Sequence, residues 1–482
     1  MTFVETLEPR SLWSHFDRIL EIPRASKKED RIRNYVIQVA ERHGLEHQTD
    51  DAGNVVVTKP AAPGREDSPV TVIQSHLDMV NEKNQDVGHD FETDPIRPER
   101  EGDYLSAAGT TLGADNGIGV AAMLTVMEAD DVAHGPLELL FTVDEETGLT
   151  GASQLDGSMI RGRRLINLDT EEEGAIYVGC AGGGDSQLVL DLDWTDPPAG
   201  AITLNLALRG LKGGHSGVDI HLQRGNAVQL MARIIEAGAR GHDIRLADFR
   251  GGSVRNAIPR EATASVTIRG DQQQQVRERA EQEFRAISDA LASVEPDVSL
   301  NLETAETPEQ VANPTSSWKA IHLLQALPHG VAAMSNDIPG LVETSTNLAV
   351  ARVEDGKLDV LTNTRSSVAS ELEAVRSRLR AVGHLAGAHV SLEDPYPGWK
   401  PNLDSAILGV VRNVYAEQLG REPEVKAVHA GLETGIIGEK VPGMDMVSVG
   451  PQIEFPHSPD ERVSIPSVDE FYQLLVRTLE RL

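Results

Sequence analysis

The chain carries a single cysteine, Cys180, in 482 residues. That excludes an intramolecular disulfide framework and any multi-cysteine zinc finger, and it is what a reducing compartment leads one to expect. Basic side chains are scarce beside acidic ones: 44 Lys and Arg against 75 Asp and Glu give a formal net charge of −31. Charge of that sign repels phosphate backbones and anionic bilayers, so neither nucleic acid nor a membrane surface is an expected partner. It favours solubility and the attraction of divalent cations, suits a salty cytoplasm, and says nothing of the fold. No apolar stretch is long enough to span a bilayer, and residues 1–10 lack a basic segment followed by an apolar run. Membrane insertion and export are therefore not expected, and the expected location is the cytoplasm. No repeat of fixed period occurs either.

What is present suffices for more than one core. A chain of 482 residues favours two or more domains, and 40% hydrophobic content fits a globular protein. Leu12, Phe16, Ile19 and Leu20, then Ile32, Tyr35, Val36 and Val39, recur at helical spacing and predict amphipathic helices over 11–22 and 30–43. Residues 70–74 and 137–142 read as short buried strands of an α/β sheet, with a helix over 117–127 between them. The character changes near 191–198. Strand (201–209), Gly-rich loop, helix (226–239) and strand (262–269) then predict an inserted domain, which ends near the turn-rich stretch 394–399. The polar stretch 272–279 reads as the exposed face of a helix continuing through Phe284 and Ile287.

Ligand-type side chains concentrate in a few short segments. These are Ser75-His76-Leu77-Asp78-Met79-Val80, Gly113-Ala114-Asp115-Asn116-Gly117 and Asp144-Glu145-Glu146-Thr147-Gly148, followed later by Asn167-Leu168-Asp169 and Pro456-His457-Ser458. The predicted elements put them at strand ends and helix starts, where open α/β sheets place their ligand crevices. Imidazole and carboxylate suit a borderline divalent metal such as zinc, and a bridging carboxylate allows two ions. Alternation along an extended segment points His76 and Asp78 the same way, so Asp78 is placed to orient the ring, although a lone His near a strand end is more often a satisfied polar residue. Asp115 alone reads better as a turn or N-cap residue. Its reading as a bridge gains weight from the acidic clusters at neighbouring strand ends. Glu145 and Glu146 repel one another unless a cation or proton neutralises them, a solvated acidic loop being the bland alternative. If one binds metal, the other is free to take a proton from water. Asp169 is aimed by its strand, whereas Glu171 to Glu173 read as a solvated face, and His457 sits in a Pro-constrained loop. Lys212-Gly213-Gly214-His215-Ser216-Gly217 sets a histidine among glycines, equally compatible with a hairpin turn. Asn256 and Arg365 are weaker signals, Arg365 being a natural partner for a carboxylate.

Taken in order, H-x-D, G-A-D-N-G, D-E-E-x-G, N-L-D, G-G-H-S-G and P-H-S resemble the zinc exopeptidases of the M20 family. The strings 75–80, Asn167-Leu168-Asp169-Thr170-Glu171-Glu172-Glu173-Gly174 and His429-Ala430-Gly431-Leu432-Glu433 look most like its aminoacyl-histidine dipeptidase branch. The likeness runs over nearly the whole chain. One departure is Thr434, where the pattern carries Cys, which bears on the substrate pocket more than on metal binding. The resemblance implies one metal held by His76, Asp115 and Asp169 and a second held by Asp115, Glu146 and His457. Glu145 would be the general base and acid, Asp78 the partner that orients His76, and His215 an oxyanion stabiliser. Asn256, Arg365 and Glu433 would be substrate contacts. The implied fold is an α/β catalytic domain with a central mixed sheet flanked by helices, interrupted by an inserted α+β lid. The expected segments are 1–190 and 397–482 for the catalytic domain and 191–396 for the lid, which would serve closure and dimerisation. The expected activity is metal-dependent hydrolysis of dipeptides such as Xaa-His, including β-alanyl-histidine, by a homodimer. Zinc is the expected metal, with manganese and cobalt accepting similar ligands. A related amidohydrolase or tripeptidase is the alternative. A non-catalytic metal-binding protein is disfavoured because Glu145 and His215 would have no role, and Cys180 as a nucleophile is a remote further reading.

Overall fold

The computed structural model describes residues 2–482. The chain divides into two compact units: Met1–Cys180 with Trp399–Ala427 and Leu432–Leu482, and Ala181–Gly398 with Val428–Gly431.

In the first unit, eight strands among the described residues form one mixed sheet. Its centre is parallel. Thr71–His76 lies between Leu137–Thr142 and Arg164–Asn167, and Asp445–Ser448 continues the parallel run beyond Arg164–Asn167. Val55–Lys59 and Glu46–Thr49 extend the other side antiparallel. Thr71–His76 and Leu137–Thr142 are buried at every position, as strands covered on both faces must be, which is why neither segment alternates polar and apolar residues. His76 is itself the last residue of its strand rather than a residue just past it, so the pleat sets the direction of its ring.

Helix Ala114–Glu128 packs on Thr71–His76 and against helix Arg10–Leu20. It is buried almost all round, the mark of an internal helix, and each fully buried Leu in this layer contributes roughly 1.5–3 kcal/mol. Gly119 permits the close approach: a Cβ there would stand 2.6 Å from Ser75 Oγ and 3.0 Å from the Leu168 carbonyl oxygen. The start of this segment, where Asp115 (φ −77°, ψ 114°) and Asn116 (φ −102°, ψ 33°) depart from helical geometry, is thereby held against two strand ends.

The second unit is built on an antiparallel sheet. The described strands run in the order Ser299–Ala305, Ala201–Arg209, Ala262–Arg269, Arg245–Gly251, Val342–Glu354, Lys357–Ser366, Gly182–Asp191 and His389–Leu392, with Gly330–Met334 also paired to Val342–Glu354. Helices Ala227–Ala239, Gln273–Leu291, Pro314–Ala326 and Ala369–Ala386 join its core. The Asn226 side chain starts the first by accepting from the Val228 and Gln229 N–H groups at 3.0 and 3.2 Å. The Gln-rich stretch belongs to Gln273–Leu291, which buries the stripe Val276, Ala280 and Ile287. Among the described residues no helix is long and apolar enough to cross a membrane.

Candidate metal centre

The carboxyl ends of the parallel strands of the first unit gather the ligand-type side chains. His76 ends one strand, Glu145 and Glu146 follow Leu137–Thr142, and Asp169 follows Arg164–Asn167. The Nε2 atom of His76 lies 3.1 Å from Asp115 Oδ1 and 3.3 Å from Asp169 Oδ1. The Nε2 atom of His457 lies 3.1 Å from Asp115 Oδ2 and 3.2 Å from Glu146 Oε2. Asp115 therefore offers one oxygen to each histidine. Within the set His76, Asp115 and Asp169, and within the set Asp115, Glu146 and His457, the ligand-type atoms lie inside 4.8 Å of one another. His457 reaches the cluster from a loop in which its own backbone is left-handed, at φ 60°.

These donors fit a pair of divalent cations. Imidazole nitrogen and carboxylate oxygen are the ligand types that zinc-like ions take. The carboxylates are crowded in poor solvent. Burial drives Glu145 well above its usual range, with Asp169, Glu146 and Glu433 adding repulsion and His76 opposing it. Burial likewise raises Asp169. Hydrogen bonds to Asp115 and Glu146 push His457 up to about 11. Burial opposes protonation of His76, but Asp169, Asp115 and Asp78 outweigh it and hold the ring well above its usual range. Protons on the two histidines thus supply the positive charge that a bound cation would supply. Glu146 Oε1 is buried with no hydrogen-bond partner, and the Glu145 carboxylate makes no hydrogen bond or ion pair among the described residues.

Asp78 is fully buried and fixed from several sides. It accepts from the Glu145 N–H at 3.1 Å, the Glu146 N–H at 3.1 Å and the Ser26 hydroxyl at 2.7 Å. His76 Nδ1 is 3.3 Å from Asp78 Oδ1, but too oblique to count as a formed hydrogen bond. One carboxylate thus holds the backbone of both glutamates and sets its negative charge beside a ligand ring. Asn116 does similar work opposite: its Oδ1 accepts from Ser75 Oγ at 2.6 Å, and its Nδ2 donates to Asp169 Oδ1. Sequence reasoning missed Ser26 and missed this role of Asn116. The G-A-D-N-G string contains Asn116, whereas nothing near Ser26 signals it.

In the second unit, His215 pairs across two short strands with Ala257. Its Nδ1 accepts the Gly217 and Val218 N–H groups, each at 3.1 Å, which assigns the ring proton to Nε2. Burial lowers its pKa and Arg365 lowers it further, so the ring is neutral with Nε2–H as its donor. Arg365 is 7% exposed; its Nε donates to Ser216 Oγ at 3.4 Å and its Nη1 to Tyr396 Oη at 3.3 Å. No carboxylate pairs with this guanidinium among the described residues. Asn256 is exposed, and its carbonyl accepts from the Ser216 N–H at 2.8 Å. His429 was noticed only as part of a string. It is buried, its Nε2 is 2.7 Å from Ser345 Oγ, and burial with Arg365 and His215 pushes it down to about 3.

Glu433, expected as a substrate contact, is fully buried, with Oε2 accepting from Gln74 Nε2 and Thr142 Oγ1 at 2.6 Å each and Oε1 without a hydrogen-bond partner. One further reading needs correction. Cys180 is fully buried and burial raises its pKa, so it lacks the accessible thiolate that a nucleophile requires. Thr434 is buried as well, beside Cys180.

Residues 72–481 match the profile of peptidase family M20/M25/M40, and the chain is a hydrolase belonging to that family. Within it, the likeness to particular dipeptidases is full-length. The chain is 41% identical over 482 residues to the cytosol non-specific dipeptidase of Escherichia coli (strain K12), covering 100% of this chain and 99% of that protein. The aminoacylhistidine dipeptidase from Vibrio alginolyticus superposes with a TM-score of 0.93 at 44% identity, covering 100% of this chain and 98% of that one. A tripeptidase from Staphylococcus aureus shares the fold, at 17% identity and a TM-score of 0.57, with 98% of each chain covered.

Proposed function

We propose that the chain is a cytoplasmic, metal-dependent dipeptidase that hydrolyses dipeptides such as Xaa-His, β-alanyl-histidine included. One observation carries this reading above others: Asp115 joins two histidine–carboxylate sets, and the unpartnered carboxylate of Glu145 stands within 4.8 Å of ligand-type atoms of His76 and Glu146. Full-length likeness to two dipeptidases supports the substrate class. We assign His76, Asp115 and Asp169 to one ion and Asp115, Glu146 and His457 to the other, with zinc first and manganese or cobalt next. When bound, such a pair supplies Lewis acidity to the scissile carbonyl and lowers the pKa of water.

The chain's own residues do the rest. Glu145 takes a proton from the attacking water as the water oxygen bonds to the carbonyl carbon. It returns that proton to the amine nitrogen as the carbon–nitrogen bond breaks, and so ends ionised as it began. Asp78 keeps His76 and the Glu145–Glu146 backbone in place for both transfers. His215 offers its Nε2–H to the developing oxyanion. Arg365, a buried cation lacking a carboxylate of its own, receives the substrate's C-terminal carboxylate, and Asn256 is a second contact. These contacts require the insertion expected over 191–396 to act as a lid, and the assembly we propose is a homodimer, which sedimentation equilibrium tests.

A requirement for a free α-amine separates this reading from an acyl-amino-acid amidohydrolase. Alanyl-histidine should be cleaved and N-acetyl-alanyl-histidine should not. Comparable turnover of the acetylated form would move the assignment to the amidohydrolase.

A further inference from the structure

We infer that Glu461, braced by Arg24, is the positioning residue that sets Asp115 between its two histidines and so governs affinity for the ions that Asp115 would share. The inference rests on the ligand assignment made above. Glu461 is 2% exposed and lies four residues beyond His457. Its Oε2 accepts from the Leu112 N–H at 2.8 Å and the Gly113 N–H at 2.9 Å, and its Oε1 accepts from the Ala114 N–H at 2.8 Å and the Asp115 N–H at 3.3 Å. Four successive backbone donors thus close on one carboxylate distant in sequence, two of them ahead of the segment Ala114–Glu128 and two at its irregular start.

Arg24 completes the brace. It is 2% exposed and donates to the Leu77 carbonyl at 3.0 Å, the Asp78 carbonyl at 2.6 Å and the Gly113 carbonyl. Gly113 has φ 72°, and a Cβ there would meet Arg24 Nη2 at 2.5 Å, so the turn and the guanidinium require glycine together. Arg24 ties the His76–Asp78 segment to the Asp115 turn, and Glu461 ties that turn to the segment carrying His457. Asp115 is the carboxylate whose two oxygens must each meet a different histidine, so a small rotation of its backbone misplaces both contacts. Groups that orient ligands in this way typically govern metal affinity by about 10- to 100-fold.

The test is metal retention of Glu461→Gln and Glu461→Asp in zinc-loaded protein, dialysed against graded chelator and read by elemental analysis, with far-UV circular dichroism as the folding check. Glutamine keeps one acceptor oxygen but puts a donor-only NH2 where the other stood, facing two backbone N–H groups, and aspartate is too short to span all four donors. Each should release its ions at about 10- to 100-fold less chelator than the parent chain. In turnover, kcat should fall while KM for alanyl-histidine changes little. Retention curves that superimpose on the parent's would overturn the inference, as would failure of both variants to fold, which would assign Glu461 to folding alone. His457→Ala separates the two layers: if it also keeps both ions, the ligand assignment is wrong; if it loses one and the Glu461 variants do not, only the present inference falls.

Discussion

At Glu145 two demands conflict. A general base must be ionised, yet burial and three neighbouring carboxylates hold this one well above its usual range in the metal-free chain. Positive charge at the adjacent ligand sets resolves the conflict, which makes Glu145 useful only in the loaded protein. Glu145→Gln should therefore bind as much metal as the parent by elemental analysis, while kcat drops by about 10²- to 10⁴-fold; unchanged turnover would remove Glu145 from the mechanism. Arg365 makes a different claim. Its buried guanidinium spends its hydrogen bonds on hydroxyls, so Arg365→Ala should raise KM for a dipeptide by about 10- to 100-fold, the worth of a charge-assisted pair. An amidated dipeptide should lose the difference between parent and variant. Equal KM changes for both substrates would deny the carboxylate contact.

Among the elements, the strand ends were the most legible feature. Largely apolar runs announce buried parallel strands, so the strand Leu137–Thr142 and the polar cluster following it could be read directly. His76, Asp115 and Asp169 come together because the strands end and one internal helix begins on a common edge. What was not legible is what lies behind that edge. Glu433 begins helix Glu433–Lys440, and nothing local distinguishes a glutamate facing a substrate from one bonded to Gln74 and Thr142 on neighbouring strands. Arg24 and Glu461 were invisible for the same reason: their partners are backbone groups 53 to 349 positions away. The Glu433 burial has a measurable consequence. Burial pushes its carboxyl up to about 8 from a usual value of 4.5, so the folded state holds the extra proton between those values. Stability of the metal-free protein should therefore fall as pH rises through that window and level off above it, a slope that Glu433→Gln should flatten in denaturant titrations. Identical slopes in parent and variant would contradict the assignment.

For the whole molecule, chain length signals more than one domain, and the change of character near 191–198 gives the expectation of an inserted one; the chain divides into two compact units. The contact boundary falls at Cys180–Ala181 because the strand Gly182–Asp191 pairs within the second unit's sheet, a long-range pairing with no local signature. A net charge of −31 acts on the folded chain as self-repulsion, so the melting temperature should rise as monovalent salt increases from low concentration to about 0.15 M, where the screening length is about 8 Å. A melting temperature independent of salt would show that this charge is compensated locally. The central claim concerns chemistry, and one experiment meets it most directly: free-histidine release from alanyl-histidine and β-alanyl-histidine by purified protein, before chelation, after chelation, and after Zn²⁺ or Mn²⁺ is restored. The account predicts release that chelation abolishes and metal restores. No release with any metal, or release untouched by thorough chelation, would contradict it.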